Sequence, residues 1–132
     1  MQSYRSRNHS KFIIKYHIIF TCKYRKNLLI KIGDDVKQIM YDISDKNDFE
    51  ILEMEVDKNH IHFMVSSIPT ISPCQIVRCL KQKSTNEIWK MYPGYMKKHF
   101  WNENTLWTDG YFVSSIGEVS SETLKKYIQN QG

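Results

Sequence analysis

The stretch FEILEMEVDKNHIHFMVSS, residues 49–67, contains two alternating segments that flank a short polar turn. Alternation of apolar and polar residues with a period of two is typical of strands that bury one face. The pattern predicts strands over Phe49–Asp57 and His60–Ser67, joined as a hairpin at Lys58 and Asn59. In the first strand, it predicts two faces: Leu52, Met54 and Val56 on one, and Ile51, Glu53 and Glu55 on the other.

On the N-terminal side of this hairpin, a strand and a helix are predicted. Lys11–Thr21, KFIIKYHIIFT, is rich in β-branched and aromatic residues, which favours a largely buried strand. A basic loop, Lys23–Lys26, follows it. Asp34 and Asp35 are favourable residues at a helix start, so we expect a helix from there to about residue 47. Its apolar stripe has helical spacing and consists of Val36, Ile39, Met40 and Ile43.

On the C-terminal side, the pattern predicts a helix, a strand and a last helix. Ser72, Pro73 and Gln75 form a helix-start signature, and the helix should continue to about Met91, where the Pro-Gly pair at 93–94 stops it. A basic, aromatic loop then leads to a strand over Gly110–Ile116. The final helix should begin near residues 120–122.

The predicted order is therefore β-α-β-β-α-β-α, without a linker or an internal repeat. A βαββαβ core is the ferredoxin-like, split-βαβ arrangement, in which helices pack on an antiparallel sheet. We expect an α+β fold in one domain that spans residues 1–132. This fold hosts many unrelated activities, so function has to be argued from particular residues.

Composition and charge narrow the class of protein. With 41% apolar and 25% charged residues, the chain should fold as an ordinary soluble globule, neither a disordered tail nor a collagen-like repeat. It has no apolar run long enough to span a membrane, and its three cysteines are expected to be reduced thiols of a cytosolic protein. Residues 1–33 contain eight Lys or Arg and no Asp or Glu. Such a basic segment, with aromatic residues nearby, suggests a nucleic-acid partner, although an uneven solvated surface explains the charge equally well.

His60-Ile61-His62 is the sharpest local motif. Residues i and i+2 of a strand face the same way, so both imidazoles should project from one face, about 7 Å apart at Cα. Two such side chains can bind one cation, although two solvent-facing strand residues would have the same spacing. The other histidines, His9, His17 and His99, have no partner at ligand spacing in the sequence.

The last predicted helix supplies a second pair of candidates. Tyr127 and Gln131 are spaced i, i+4 and therefore share a helix face. Leu124 and Ile128 share much of that face, so spacing alone also allows Tyr127 to be a core aromatic residue.

Together these segments resemble the single-tyrosine HUH transposases of the insertion-sequence 200/605 group. The resemblance extends from about Lys11 to Gln131 and includes NHIHFMV, in which His60 and His62 match the two histidines of the HUH motif. The other matching segments, in order, are KYHIIFTCKYRKNLL (residues 15–29), LKQKST (80–85), LWTDGYFVSSIG (106–117) and KYIQNQ (126–131). Departures are small: Asn59 stands where Asp is common, and Gln82 where Gly is common.

The resemblance implies a function and a set of site residues. Tyr127 would be the nucleophile, and His60, His62 and Gln131 would bind one divalent metal ion, Mg²⁺ or Mn²⁺. The family acts as a homodimer on single-stranded DNA with hairpin ends, through a 5′-phosphotyrosine intermediate. Neither a membrane nor a nucleotide cofactor is expected.

Four basic residues are predicted to contact DNA, because they lie in the acid-free segment or beside Leu80. These are Lys23, Arg25, Lys81 and Lys83. Two other functions remain open from the residues alone. A non-catalytic nucleic-acid-binding module explains the charge but leaves the histidines and Tyr127 unexplained. A metal-dependent hydrolase would need a site that activates water, whereas the strand offers only two ligands and no carboxylate is expected beside them.

Overall fold

Four antiparallel strands form one sheet in the computed structural model, which describes residues 14–116 and 128–130. The strands are β1 (Ile14–Thr21), β2 (Phe49–Val56), β3 (His60–Ser67) and β4 (Phe112–Ser115). Their order across the sheet is β2-β3-β1-β4, and each neighbouring pair is antiparallel. The predicted hairpin is β2–β3, and the ferredoxin-like α+β arrangement is confirmed.

Besides a 3₁₀ turn at Lys23–Arg25 and the helical residues 128–130, the described residues form three helices: α1 (Leu29–Asp45), α2 (Pro73–Met91) and α3 (Pro93–His99). They pack on one face of the sheet and form the hydrophobic core with it. The sheet contributes fully buried side chains from β1 and β3, among them Ile18, Phe20, Ile61, Phe63 and Val65. None of the described helices is both long and apolar enough to cross a membrane.

Helix α2 begins as its sequence predicts. The Ser72 hydroxyl accepts a hydrogen bond from the backbone N–H of Gln75 (3.1 Å), and the Gln75 side chain accepts one from the backbone N–H of Ser72 (2.8 Å). These two bonds form a capping box, and Pro73 occupies the first helical turn, where no backbone N–H is needed. The start of α2 is thus determined by local residues alone.

Helix α1 begins at Leu29, so the expected start at Asp34 or Asp35 is wrong. Leu28, Leu29 and Ile32 are all buried and extend the apolar stripe towards the N-terminus by more than a turn. No side chain caps the helix; instead the backbone N–H of Leu29 donates to the carbonyl oxygen of Lys58 (3.0 Å), in the β2–β3 turn. Burial and a tertiary hydrogen bond therefore outweigh the local preference for an acidic start.

Strand β2 departs from the predicted alternation because it contains a bulge. The register with β3 shifts between Ile51 and Glu53, so Ile51 pairs with Val65 and Met54 pairs with Phe63. Ile51 and Met54 are both buried in the core, whereas Leu52 is only half-buried. The expectation that Leu52 and Met54 share a face apart from Ile51 is wrong, since one extra residue reverses the alternation.

The segment after α2 is also more regular than predicted. Pro93 ends α2 but begins the short helix α3, in place of the expected loop. Met96 and Phe100 are buried and anchor this segment to the core. Strand β4 covers Phe112–Ser115, and is thus shorter than the expected strand.

Candidate active site

The face of the sheet opposite the helices carries the two histidines of β3. His60 and His62 are half-buried, while Ile61 and Phe63 are fully buried in the core on the other side. The prediction that both imidazoles share one face is confirmed. His17 belongs to the same face, because it pairs with Met64 in the antiparallel register of β1 and β3.

His60 is held by the residue that precedes it. Its Nδ1 lies 3.1 Å from the amide oxygen of Asn59, and the amide nitrogen of Asn59 donates to the carbonyl oxygen of Arg25 (3.5 Å). Burial is the main cause that lowers the pKa of His60; the Asp57 carboxylate opposes this shift and the charge of Arg25 adds to it. A lowered pKa favours the neutral imidazole, which is the form that binds metals.

His62 contacts a third histidine, which the sequence analysis missed. Its Nε2 lies 3.1 Å from Nδ1 of His17, and the two ring centroids are 5.2 Å apart. Burial lowers the pKa of His62, and the neighbouring His17 lowers it further. Only the pairing of β1 with β3 brings His17 to this position, since the two residues are 45 apart in the chain. The expectation that His17 has no partner is therefore wrong.

Two carboxylates lie beside these histidines, contrary to expectation. Asp57 Oδ2 is 3.9 Å from Nε2 of His60, and Glu55 Oε1 is 4.0 Å from Nδ1 of His62. Both carboxylates are largely exposed, at 64% and 83% of the side chain. The hairpin turn brings them there, because Glu55 pairs with His62 across β2 and β3.

Neutral imidazoles and nearby negative charge suit a divalent cation. Within residues 14–116 and 128–130, no group of three or more His, Cys, Asp or Glu side chains is close enough to bind one. A cation held by His60 and His62 would therefore need a further ligand. The predicted third ligand, Gln131, and the predicted nucleophile, Tyr127, lie outside the described residues.

Residues next to those two positions nevertheless lie close to the histidines. A cavity of about 450 Å³ is lined by His60, His62 and Ile128, together with Lys37, Glu55 and Asp57. In addition, the guanidinium of Arg25 donates a hydrogen bond to the carbonyl oxygen of Gln129 (3.0 Å). The helical residues 128–130 are thus placed against the histidine-bearing face.

The turn that follows β1 forms one side of this region and contains two of the predicted DNA-contacting residues, Lys23 and Arg25. Tyr24 and Arg25 both have positive φ, 60° and 53°, a conformation that costs a non-glycine residue about 1 kcal/mol or more. Glu103 stabilises the turn, because it accepts hydrogen bonds from Lys23 (2.9 Å) and from the Tyr24 hydroxyl (2.7 Å). Lys23 is therefore already ion-paired, and its contact with DNA stays a prediction.

The two lysines of α2 have different surroundings. The Lys81 ammonium donates to the carbonyl oxygens of Thr108 (2.6 Å) and Gly110 (2.9 Å), and burial lowers its pKa to about 8. Lys83 is exposed. Both DNA contacts stay predictions; at Lys81, two of the three ammonium N–H donors are already bound to carbonyl oxygens.

Comparison with known proteins gives a consistent result. Residues 10–131 match the protein family described as IS200-like transposases. The chain is 32% identical over 119 residues to the ISDra2 transposase TnpA of Deinococcus radiodurans, and the match covers 89% of this chain and 84% of that protein. It is 28% identical over 130 residues to the transposase for insertion sequence element IS200 of Salmonella typhimurium, with 96% and 82% covered.

Two solved structures of transposases have a fold similar to that of this chain. A crystal structure of a candidate transposase from Deinococcus radiodurans superposes with a TM-score of 0.82 at 28% identity, and covers 92% of this chain and 93% of that one. A REP-associated tyrosine transposase bound to a REP hairpin superposes with a TM-score of 0.56 at 14% identity, with 88% and 61% covered. This second likeness concerns the fold alone.

Proposed function

The chain belongs to the family of IS200-like transposases, and on that premise we propose that it cleaves and rejoins single-stranded DNA at hairpin ends, with Tyr127 as nucleophile. One observation supports the proposal most strongly. Ile128, which follows Tyr127 in the chain, lines the same cavity as His60 and His62. The described residue next to Tyr127 therefore lies beside the two histidines, and this adjacency supports the assignment.

The proposed reaction conserves the energy of the DNA backbone. The phenol oxygen of Tyr127 forms a bond to the phosphorus of the scissile phosphate, and the bond from that phosphorus to the 3′ oxygen breaks. The phenol proton passes to solvent, and the departing oxygen takes up a proton to become a 3′-OH. The remaining 5′-phosphotyrosine can be attacked by the 3′-OH of another strand, so that rejoining needs no ATP.

A divalent cation, Mg²⁺ or Mn²⁺, is part of the proposal, with His60, His62 and Gln131 as its ligands. A phenol with a pKa of about 10 is a weak nucleophile at neutral pH, so the phosphate has to be made more reactive. When bound, the ion would supply charge neutralisation and polarisation at the scissile phosphate. The chain itself contributes two imidazoles whose lowered pKa keeps their lone pairs available.

We further propose that the DNA partner contains a hairpin and that the active unit is a homodimer, as the family resemblance implies. One structural neighbour is bound to a REP hairpin, which supports this kind of partner. Arg25 and Lys83 are both exposed. Lys83 has no ion pair with another described side chain, and Arg25 donates one hydrogen bond to the Gln129 carbonyl oxygen but has further N–H donors for a phosphate. Lys23 is already paired with Glu103, and two of the three N–H donors of Lys81 are bound to carbonyl oxygens.

The test is covalent capture of DNA. A 3′-labelled, single-stranded oligonucleotide that spans a hairpin flanking the gene is incubated with the protein and Mn²⁺, then run on a denaturing gel. The wild-type chain should form a labelled adduct and a free 3′-OH fragment. Tyr127→Phe should form none, yet bind the hairpin with nearly unchanged affinity, because the ring is retained. Tyr95→Phe, on helix α3, is the matched control and should behave as the wild type.

Two outcomes would contradict the proposal. An adduct in Tyr127→Phe would assign the nucleophile to another residue. A wild-type protein that binds the hairpin and never cuts it would be a non-catalytic binding module.

A further inference from the structure

We propose that Asn59 and His17 are positioning residues that determine which ring nitrogen each ligand histidine presents to a cation: Nε2 of His60 and Nδ1 of His62. The inference rests on the proposed function, since it concerns the same two histidines. It adds two side chains from outside the His-x-His motif, one from the hairpin turn and one from β1.

Asn59 determines the tautomer of His60 by a simple argument from donors and acceptors. One end of its amide faces the carbonyl oxygen of Arg25 at 3.5 Å, and a carbonyl can only accept, so that end is the amide nitrogen. The other end is then the amide oxygen, which lies 3.1 Å from Nδ1 of His60. Because this oxygen also can only accept, Nδ1 carries the proton, and the lone pair is on Nε2.

Asn59 is itself held in place. Its backbone carbonyl accepts a hydrogen bond from the N–H of Cys22 (2.8 Å), and its side chain is bonded to the strained turn after β1. That turn persists with Tyr24 and Arg25 at positive φ because Glu103 and the Gln129 carbonyl bind its side chains. The orientation of His60 is therefore connected to the same turn that contacts residue 129.

His17 contacts Nε2 of His62, the ring nitrogen that is not assigned to the cation. Nδ1 of His17 lies 3.1 Å from Nε2 of His62, a distance at which one of the two must donate to the other. In the proposed arrangement Nε2–H of His62 donates to Nδ1 of His17, so Nδ1 of His62 keeps the free lone pair. Metal-binding histidines commonly use their second nitrogen for such a hydrogen bond, which orients the ring.

The two free nitrogens face the same side of the site. Nε2 of His60 is 3.9 Å from Asp57, and Nδ1 of His62 is 4.0 Å from Glu55. Both carboxylates come from β2 or the residue after it, so both nitrogens lie near that edge of the histidine face. A cation would be held there, where the carboxylates add negative charge.

The first measurement uses the metal-free wild-type protein and needs no variant. Long-range ¹H–¹⁵N NMR correlations of the imidazoles report which nitrogen of each ring is protonated. We expect His60 protonated at Nδ1 and His62 at Nε2. The opposite tautomer at either ring would overturn the assignment for that ring.

The second measurement is a titration with Mn²⁺ alone, followed by the EPR signal of the free ion. His17→Phe should bind Mn²⁺ about 10-fold more weakly, and His17→Asn, which keeps an acceptor near the position of Nδ1, should recover much of the loss. Asn59→Ala should weaken binding by a similar factor. His99→Phe is the matched control and should bind as the wild type, since its ring contacts Tyr95 and Phe100 instead.

His62→Ala distinguishes failure of this inference from failure of the proposed function. If His62→Ala loses Mn²⁺ and His17→Phe binds it normally, the metal site stands and the role of His17 is wrong. If His62→Ala also binds normally, the metal site itself is wrong, and the positioning role with it. Equal losses in His17→Phe and His17→Asn would make His17 a ligand rather than a positioning residue.

Discussion

Strand β3 has two faces that differ completely in chemistry. On one, Ile61, Phe63 and Val65 are fully buried against the helices. On the other, His60 and His62 are half-buried, and their contacts are an amide, a third imidazole and two carboxylates. Alternate residues of this strand therefore have different roles: those on one face stabilise the fold, and those on the other face form the candidate site.

Strand β1 repeats this division. Ile18 and Phe20 belong to the core, while His17 lies on the histidine face beside the fully buried Ile19. The difference between the faces shows why a ferredoxin-like sheet can carry a new site without a new core. Side chains on the histidine face can change while the packing on the helical face stays the same. The two faces should therefore respond differently to substitution.

The largest effect is expected on activity, at the histidine face. His60→Ala and His62→Ala should lose DNA cleavage at every practical concentration of Mg²⁺ or Mn²⁺, because each removes one of the two proposed metal ligands on β3. Gln131→Ala should lose it less completely, since an amide is the weaker ligand. The free energy of unfolding should change by only about 1 kcal/mol, because neither histidine is in the core. Cleavage assays over a range of metal concentrations measure the activity, and urea unfolding measures the stability. Full activity of His62→Ala in the presence of a chelator would contradict the proposed metal site.

A smaller but substantial effect, on stability, is expected at the core face. Phe63→Ala should lower the free energy of unfolding by about 3–5 kcal/mol, because it removes a fully buried ring that packs against Phe20. Met64→Ala, one residue along and on the histidine face, is the matched control and should cost clearly less. Below its lowered melting temperature, Phe63→Ala should still cleave DNA. Equal destabilisation by both substitutions would mean that the histidine face also carries a core.

The smallest effect is expected on DNA affinity. It tests whether helix α2, which carries Lys81 and Lys83, also contacts DNA. Lys83→Ala should lower the slope of log K against log salt by roughly 0.7–0.9, because one exposed phosphate contact is lost. Lys81→Ala should lower that slope less, because two of the three N–H donors of Lys81 are bound to the carbonyl oxygens of Thr108 and Gly110, and it should also loosen the segment there. Affinity for a hairpin and for an unstructured strand, measured over a range of salt, tests both. An unchanged slope in the Lys81/Lys83 double variant would place the DNA elsewhere.

Local sequence patterns were sufficient to predict several elements of the fold and one feature of the candidate site. The alternation in residues 49–67 predicted the hairpin and the shared face of His60 and His62, because a strand side chain's direction depends only on its position along the strand. The capping box at Ser72 and Gln75 was predictable for the same reason, since all of its atoms lie within four residues. The resemblance to the transposase family depended on motifs whose order and spacing are likewise read directly from the chain.

Tertiary structure decided what depends on contacts between distant segments. The start of α1 at Leu29 required a carbonyl from the β2–β3 turn, and Gly33 lets that helix approach β2, because a Cβ there would lie 3.2 Å from Val56. The bulge at residue 52 was set by the fit of β2 to β3 and to the core. His17 contacts His62 only because of the register of β1 and β3. Lys81 donates to the carbonyl oxygens of Thr108 and Gly110, which lie far from it in the sequence. Periodicity determines the face on which a side chain lies, but only packing and strand register determine its partner there.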